Sequence, residues 1–254
     1  MSQITYEQPL NERVRTFLRL EFLFSQIEHT RMGESPWDSR ATLASLIDIL
    51  NILSRTDLKS ELIMELERQI ANLSPLEDSP NVDRAKLGQI LDEMDVVVDQ
   101  LHATQGQIGR HLRQNEFINS IKQRSSISGG TCGFDLPAYH YWLHQPAETR
   151  IENLQQWITV FENIRSSINL ILHLIRDSAS STKETAIGGF FQQSLDINAP
   201  YQLIRVTLPA DSPFFTEISG GKHRFTVRFM QMSLEERPTQ TSANVNFELT
   251  CCMI

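Results

Sequence analysis

Apolar residues follow two different periods along the chain. From about residue 9 to 178 they recur three or four positions apart, which is typical of amphipathic helices. Four of the predicted helices begin at polar residues that can cap them: Asn11, Asp38, Asp57 and Asp83. A shorter helix is predicted around 117–123, and one long pattern runs from 151 to 175. Most of the chain is therefore predicted to be helical.

Beyond residue 200 the period becomes two, as in strands with one buried face. Residues 202–208 alternate in this way, and 244–252 give another candidate strand. Ser219-Gly220-Gly221 separates two further runs, 214–218 and 222–230, which is the signal of a hairpin. Residues 3–7, ahead of a proline, can add a strand to the same sheet.

These patterns predict an α+β protein with two domains. We expect a helical domain over 1–180 and a smaller, mostly antiparallel β domain over 184–254. Three glycines and a proline make residues 128–137 an irregular loop within the helical part. The serine-rich stretch 178–183 is interpreted as the linker between the domains.

Composition narrows the function classes. The chain has 254 residues, of which 40% are hydrophobic and 21% charged, as in ordinary globular proteins. Its net charge of −8 argues against nucleic acid as the main ligand, since phosphate binding needs concentrated Lys and Arg. No apolar run approaches the ~18 residues of a membrane span, and the first residues lack the layout of a signal peptide. We expect a soluble cytoplasmic protein.

The residue types that carry catalysis and metal binding are sparse. The 3 cysteines, Cys132, Cys251 and Cys252, suit a reducing compartment and do not form a disulfide framework or a metal site. His140 and His144 would share a helical face, yet they lack the glutamate of a zinc-protease motif and a third ligand. We expect no cofactor or metal. An enzyme with a site near these histidines and the 128–137 loop remains the alternative.

The run from 222 to 230 is the most informative strand. In a strand, Arg224, Thr226 and Arg228 point to one side, while the intervening Phe225, Val227 and Phe229 point to the other and should be core. The two arginines would stand about 13 Å apart on the open face. No acidic residue occurs between 218 and 233 to neutralise them. The pattern fits either a solvated face or a site for a carboxylate-bearing ligand, which the forked donors of arginine suit.

Other basic residues extend this picture. Arg15 and Arg19 share a face of the first predicted helix, and Lys122 and Arg124 precede the glycine-rich loop. Taken alone, each of these pairs is better explained as a solvated helix face. Lys222, beside the hairpin glycines, does not make a phosphate loop because no Ser or Thr and no helix follow it.

Several short segments, in order and spread over nearly the full length, resemble the ZapD family of bacterial division-ring proteins. Near the N-terminus the resemblance rests on Pro9-Leu10-Asn11-Glu12 and on the run from Arg15 to Phe22. It continues through Gly129-Gly130, Cys132, Phe134-Asp135-Leu136-Pro137, His140 and Trp142-Leu143-His144. It returns in Leu174-Ile175-Arg176, Ile218-Ser219-Gly220, Arg224-Phe225, Val227-Arg228-Phe229-Met230, Phe247-Glu248-Leu249 and Cys251-Cys252.

The resemblance implies a non-enzymatic homodimer that binds the C-terminal tail of the tubulin-like protein FtsZ and bundles its filaments at the mid-cell division ring. Arg224 and Arg228 match the basic surface of the family's tail site, and Arg19 and His140 match residues near it. We add the neighbouring Lys222 and Arg124 to the candidate partner-binding residues. One departure is Glu116, which stands where the family has a further basic residue.

Overall fold

Helices fill the middle of the chain, and strands occupy its two ends. The computed structural model describes residues 2–80, 82–104 and 106–254. It divides into a β unit, Met1–Thr16 with Ile171–Ile254, and a helical unit, Phe17–Leu170. The α+β class is confirmed.

The described residues form nine α-helices and two short 3-10 turns. The helices are α1 Glu12–Thr30, α2 Pro36–Leu53, α3 Leu58–Leu73, α4 Arg84–Ala103, α5 Arg110–Arg113, α6 Glu116–Ser125, α7 Pro137–Leu143, α8 Ala147–Ile158 and α9 Glu162–Asp177. The 3-10 turns are Ser74–Asp78, after α3, and Thr159–Phe161, between α8 and α9. The first helix crosses from the β unit into the helical unit, and the last crosses back.

Three of the four predicted caps are confirmed. Asn11 accepts the backbone N–H of Val14 at 2.9 Å, and Asp83 accepts two backbone N–H groups at the start of α4. Asp57 caps α3 in the same way. The prediction for α2 was wrong in detail, because Ser35 is the cap and Asp38 lies three residues inside the helix. Asp38 accepts the Ser35 backbone N–H at 3.2 Å, which completes a reciprocal capping box.

The long helical pattern from 151 to 175 contains a break. It forms α8 and α9, separated by the 3-10 turn at Thr159–Phe161. Ile158, Thr159 and Val160 are consecutive β-branched residues, which lose rotamer freedom in a helix. The Thr159 hydroxyl also donates to the Gln155 carbonyl at 2.8 Å, a back-bond that often bends helices. Apolar spacing alone does not reveal this break.

The β unit is a sandwich of two antiparallel sheets. Its strands are β1 Gln3–Pro9, β2 Thr182–Ala186, β3 Phe190–Ser194, β4 Tyr201–Pro209, β5 Phe214–Gly220, β6 Arg224–Gln231, β7 Thr239–Gln240 and β8 Val245–Met253. One sheet has the order β1-β4-β8-β2, and the other has the order β3-β6-β5 with β7 also on β6. The predicted N-terminal strand is confirmed, since β1 pairs with β4 from Gln3 opposite Pro209 to Pro9 opposite Leu203.

The alternating residues of β6 supply one wall of the sandwich core. Phe225, Val227 and Phe229 are fully buried, as the sequence predicts, and pack against apolar residues of β4 and β8. The Phe229 and Phe247 rings lie 5.0 Å apart between centroids. With this side of β6 in the core, alternation places its other side chains on the outer face.

The segment from 182 to 194 departs from the sequence interpretation. Lys183 lies in β2 rather than in a linker, and β3 was not predicted. Both strands are short and lie at sheet edges, so most of their side chains stay partly or fully exposed and no apolar alternation marks them. The division between the units falls inside α1 and α9, whereas the domain boundary drawn from the sequence, at 180–184, stays a prediction.

Candidate partner-binding site

The outer face of β6 carries the two arginines that the sequence singles out. Arg224 and Arg228 are both exposed, with the partly buried Thr226 between them. Across the sheet, Thr226 lies between Gln192 of β3 and Ser219 of β5. We call this surface the basic face: Arg224 and Arg228 lie four residues apart, and the three residues side by side between them are uncharged.

The two arginines have different neighbours. Arg228 stands directly opposite Glu217 on β5 and opposite Phe190 on β3. Side chains opposite one another in an antiparallel pair lie about 4.5–5.5 Å apart at their Cβ atoms, so the Glu217 carboxylate is within reach of the Arg228 guanidinium. Glu217 lies one residue outside the range from 218 to 233, which contains no acidic residue. The hairpin register would have revealed it, because the turn after Gly220 sets Glu217 against Arg228.

Arg224 lies opposite a neutral residue. Its partner on β3 is Ser194, and on the other side the chain turns through Gly221, whose N–H donates to the Arg224 carbonyl at 3.0 Å. Lys222 and His223 lie in this turn and are exposed, so the prediction that the strand begins at Lys222 was wrong. Gly220 packs closely against this part of the unit, because a Cβ there would lie 2.7 Å from the end of the Leu10 side chain.

Three further candidates, Arg19, His140 and Arg124, belong to the helical unit. Arg19 is exposed on α1. His140 is exposed on α7, with its ring beside Gly133, where a Cβ would lie 2.9 Å from Nδ1. Gly133 of the glycine-rich loop therefore lies in close contact with this imidazole.

His140 and His144 do lie together, as the spacing predicts. Their ring centroids are 4.4 Å apart, and His144 Nδ1 lies 2.8 Å from the His140 carbonyl oxygen. Among the residues that the structure describes, no group of three or more His, Cys, Asp or Glu side chains is arranged to hold a metal ion.

Arg124 and Glu116 occupy opposite ends of α6. Arg124, in the last turn, forms an ion pair with Asp135 at 3.6 Å and keeps 48% of its side chain exposed. Part of its charge is thus satisfied by the loop that follows. Glu116 is exposed in the first turn, where an acidic side chain interacts favourably with the helix dipole. This gives a local reason for the acidic residue at that position.

A cleft of about 730 Å³ lies between α2 and the glycine-rich loop, close to the place that the enzyme alternative requires. Its lining includes Arg40, Thr131 and Tyr139 but not His140, His144 or Cys132. The Arg40 guanidinium lies 4.9 Å from the centroid of the Tyr139 ring and donates to the Thr131 carbonyl at 3.3 Å. Burial raises the pKa of Tyr139 to about 12, although Arg40 opposes this shift. Tyr139 is therefore protonated at neutral pH.

The C-terminal cysteines have the properties of structural thiols. Burial raises the pKa of both Cys251 and Cys252 to about 11, so the reactive thiolate is scarce at neutral pH. Cys132 is half-buried, and its thiol donates to Asp135 at 3.3 Å.

Comparison with known proteins decides the family. The family model described as ZapD, cell division protein, matches residues 18–228. The chain belongs to the ZapD family of cell division proteins. The match includes both the helical unit and the β6 arginines, and family membership supports a role in cell division.

Named ZapD relatives align with the whole chain. The cell division protein ZapD of Methylococcus capsulatus is 46% identical over 253 residues, covering 100% of this chain and 99% of that protein. The ZapD protein of Coxiella burnetii is 41% identical over 253 residues, with 99% and 98% covered. That of Nitrosomonas europaea is 39% identical over 254 residues, with 100% and 97% covered.

In the part of the chain that the structure describes, no helix combines the length and the apolar character that a membrane-spanning helix requires.

Proposed function

We propose that this protein binds the C-terminal tail of FtsZ through a basic surface that includes Arg224 and Arg228. It acts in the cytoplasm at the mid-cell division ring and is not an enzyme. The observation that carries the proposal is the exposed arginine pair on β6, together with membership of a cell division family. Carboxylates of a tail peptide are the ligands that exposed guanidinium groups recognise best.

The remaining candidates are proposed to contribute in different degrees. Arg19, His140 and Lys222 are exposed and can meet an acidic peptide without giving up an internal ion pair that the structure describes. Arg124 shares its charge with Asp135, so it should contribute less. Each hydrogen bond to a charged group adds roughly 1.5–3 kcal/mol, so two arginines account for part of a moderate affinity. Apolar side chains of the tail supply the rest.

Bundling requires two tail sites on one particle, and a homodimer provides them. Once one tail is bound, the second site experiences an effective tail concentration that can reach millimolar. Weak individual sites are therefore sufficient to cross-link filaments, and they still allow each tail to dissociate.

The proposed site can be tested by charge reversal. Arg224→Glu combined with Arg228→Glu should weaken binding to FtsZ polymers by roughly 100-fold or more, because two favourable contacts of about 1.5 kcal/mol each become repulsive. Co-sedimentation with FtsZ filaments measures the loss, and FtsZ lacking its C-terminal residues should not sediment the wild-type protein. Added salt should weaken wild-type binding.

A matched control distinguishes the loss of the site from the effect of the altered net charge. Lys183→Glu with Arg237→Glu makes the same change in net charge within the β unit. Each double variant also sets one new glutamate opposite a resident one, Glu217 or Glu248. The control should bind like the wild-type protein. Equal losses in the two double variants, or undiminished binding by the arginine variant, would remove Arg224 and Arg228 from the site.

Glu217 provides a prediction of opposite sign. Because its carboxylate faces Arg228, Glu217→Gln should free that arginine and strengthen tail binding about threefold, the effect of removing one exposed opposing charge. By the same reasoning Arg224→Ala should weaken binding more than Arg228→Ala. Fluorescence anisotropy with a labelled tail peptide measures both. An unchanged or weaker affinity of Glu217→Gln would contradict the electrostatic assignment.

A further inference from the structure

The strand next to the basic face is an open sheet edge. In the described residues the second sheet ends at β3, with β6 on its inner side. Phe229 N–H donates to the Gly189 carbonyl and Leu195 N–H donates to the His223 carbonyl, so both of these pairs are hydrogen-bonded positions of the β3–β6 ladder. Hydrogen-bonded and non-hydrogen-bonded pairs alternate along an antiparallel ladder. The backbone N–H and C=O groups of Gln192 and Ser194 therefore point away from β6.

Apart from its short length, this edge lacks the usual protection against strand pairing. Proteins commonly place charges or prolines on open edges, but β3 reads Phe-Phe-Gln-Gln-Ser. The edge strand of the other sheet, β2, carries Lys183 and Glu184. The opposite edge of the second sheet is partly covered, since Gly220 at the end of β5 lies against Leu10 and Gln8. The unprotected edge is thus the one beside the arginines.

We propose that an extended acidic peptide adds to the sheet as a further strand along β3, with its carboxylates directed to Arg224 and Arg228. The identity of this peptide as an FtsZ tail rests on the proposed function, whereas the mode of binding does not. Ser194 is opposite Arg224 and Phe190 is opposite Arg228, so these side chains share one face. An added strand would lie two strand spacings, about 10 Å, from β6, a gap that facing arginine and glutamate side chains can close.

The geometry sets the spacing of the acidic residues. Arg224 and Arg228 are four residues apart on one face, so the peptide should present acidic side chains at positions i and i+4. A spacing of three would turn one carboxylate to the opposite face. Phe190, which is 39% exposed on the same face, offers a surface for an apolar side chain of the peptide.

A second copy of this chain fits the edge less well. Pairing of two β3 strands about a twofold axis would place two basic faces next to each other, and because β3 has no acidic residue it would add no carboxylate to pair with the arginines. An acidic peptide would instead neutralise the charge of the two arginines with its carboxylates. The arginines therefore favour the peptide as the occupant.

Proline substitution tests the edge directly. Proline is tolerated in edge strands where the N–H faces solvent, so Gln192→Pro with Ser194→Pro should keep the sheet while removing two outward donors. Affinity for the labelled tail peptide should fall roughly five- to 100-fold for the two lost hydrogen bonds. Gln192→Ala with Ser194→Ala retains the donors and should bind within about twofold of wild type. Circular dichroism and thermal unfolding verify that each variant folds.

Three measurements on the wild-type protein keep the test independent of folding. Amide exchange at Gln192 and Ser194 should slow when the tail peptide binds. Two tail peptides can be N-methylated at alternate residues, one at the odd and one at the even positions. Only the peptide whose methylated amides would face β3 should lose affinity. Moving one acidic residue of the peptide from i+4 to i+3 should also weaken binding.

The outcomes separate the two proposals. If both amides exchange at unchanged rates and the proline variant binds normally, while reversal of the two arginines abolishes binding, strand addition is wrong and the proposed function stands. If reversal also leaves binding unchanged, the proposed function fails as well. If the proline variant becomes monomeric in light scattering with unchanged peptide affinity, the edge joins two copies of the chain and the peptide assignment is wrong.

Discussion

Replacing Arg150 with methionine is expected to lower the free energy of unfolding of the helical unit by about 3 kcal/mol. Arg150 lies on α8 and is 3% exposed. Its guanidinium donates to the Glu34 carbonyl at 2.6 Å, the Gln145 carbonyl at 3.1 Å and the Ser35 carbonyl at 3.3 Å. It also donates to the hydroxyl of the fully buried Ser39. One buried cation thus ties α8 to the loop that begins α2.

The size of the effect follows from what the substitution leaves behind. Methionine fills a similar space but donates nothing, and a buried acceptor without a donor costs about 1–3 kcal/mol. The Ser39 hydroxyl carries this cost in full, while the carbonyls near the surface recover part of it from water. The thermal midpoint should fall by roughly 6–12 °C.

Tryptophan fluorescence is a suitable measurement because Trp37, Trp142 and Trp157 all belong to the helical unit. Arg55→Met, at an exposed position, is the matched control and should change stability by less than about 0.5 kcal/mol. Arg150→Lys should lie between the two, since a single ammonium cannot reach all four acceptors. An Arg150→Met protein as stable as the control would mean that the network contributes no net stability.

The network illustrates which parts of the fold are readable from the sequence. Helix positions follow from apolar spacing, and Asn11, Asp57 and Asp83 were correctly assigned as caps because a cap interacts with its own next residues. Arg150 bonds to residues more than 100 positions away, and no local pattern records such a partner. Ser35 is a different case, because its capping box with Asp38 spans only three residues and the local sequence could have revealed it.

The site shows a similar division. Alternation correctly places Phe225, Val227 and Phe229 in the core and Arg224 and Arg228 outside. The local charge around each arginine depends on cross-strand register, so Glu217 was missed although it is only eleven residues from Arg228. Edge strands are harder still, because β3 buries no continuous face and leaves no periodic signal. Its open edge is a property of sheet order, which only the structure supplies.

Replacing Glu7 with glutamine is expected to destabilise the β unit by about 3 kcal/mol, the lower end of the range for buried ion pairs, because this one is only partly buried. Glu7 lies on β1, and its Oε1 accepts from Arg176 Nε at 2.9 Å and from Arg205 Nε at 3.0 Å. Its Oε2 accepts from Arg176 Nη2 at 2.8 Å. This single carboxylate therefore joins the end of α9 to β1 and β4.

Glutamine leaves the two arginines facing one another without the negative charge between them. The side chains of Glu7, Arg176 and Arg205 are 19%, 24% and 28% exposed, so water compensates only in part. Urea unfolding followed by circular dichroism measures the loss, and amide exchange in β1 and β4 should accelerate. Glu12→Gln is the control, because its ion pair with Arg15 at 3.0 Å involves a glutamate side chain that is 81% exposed and should contribute at most about 0.5 kcal/mol. If the two variants lose equal stability, the ion pairs of Glu7 with Arg176 and Arg205 contribute no net stability. Apolar packing alone would then hold the end of α9 against β1 and β4.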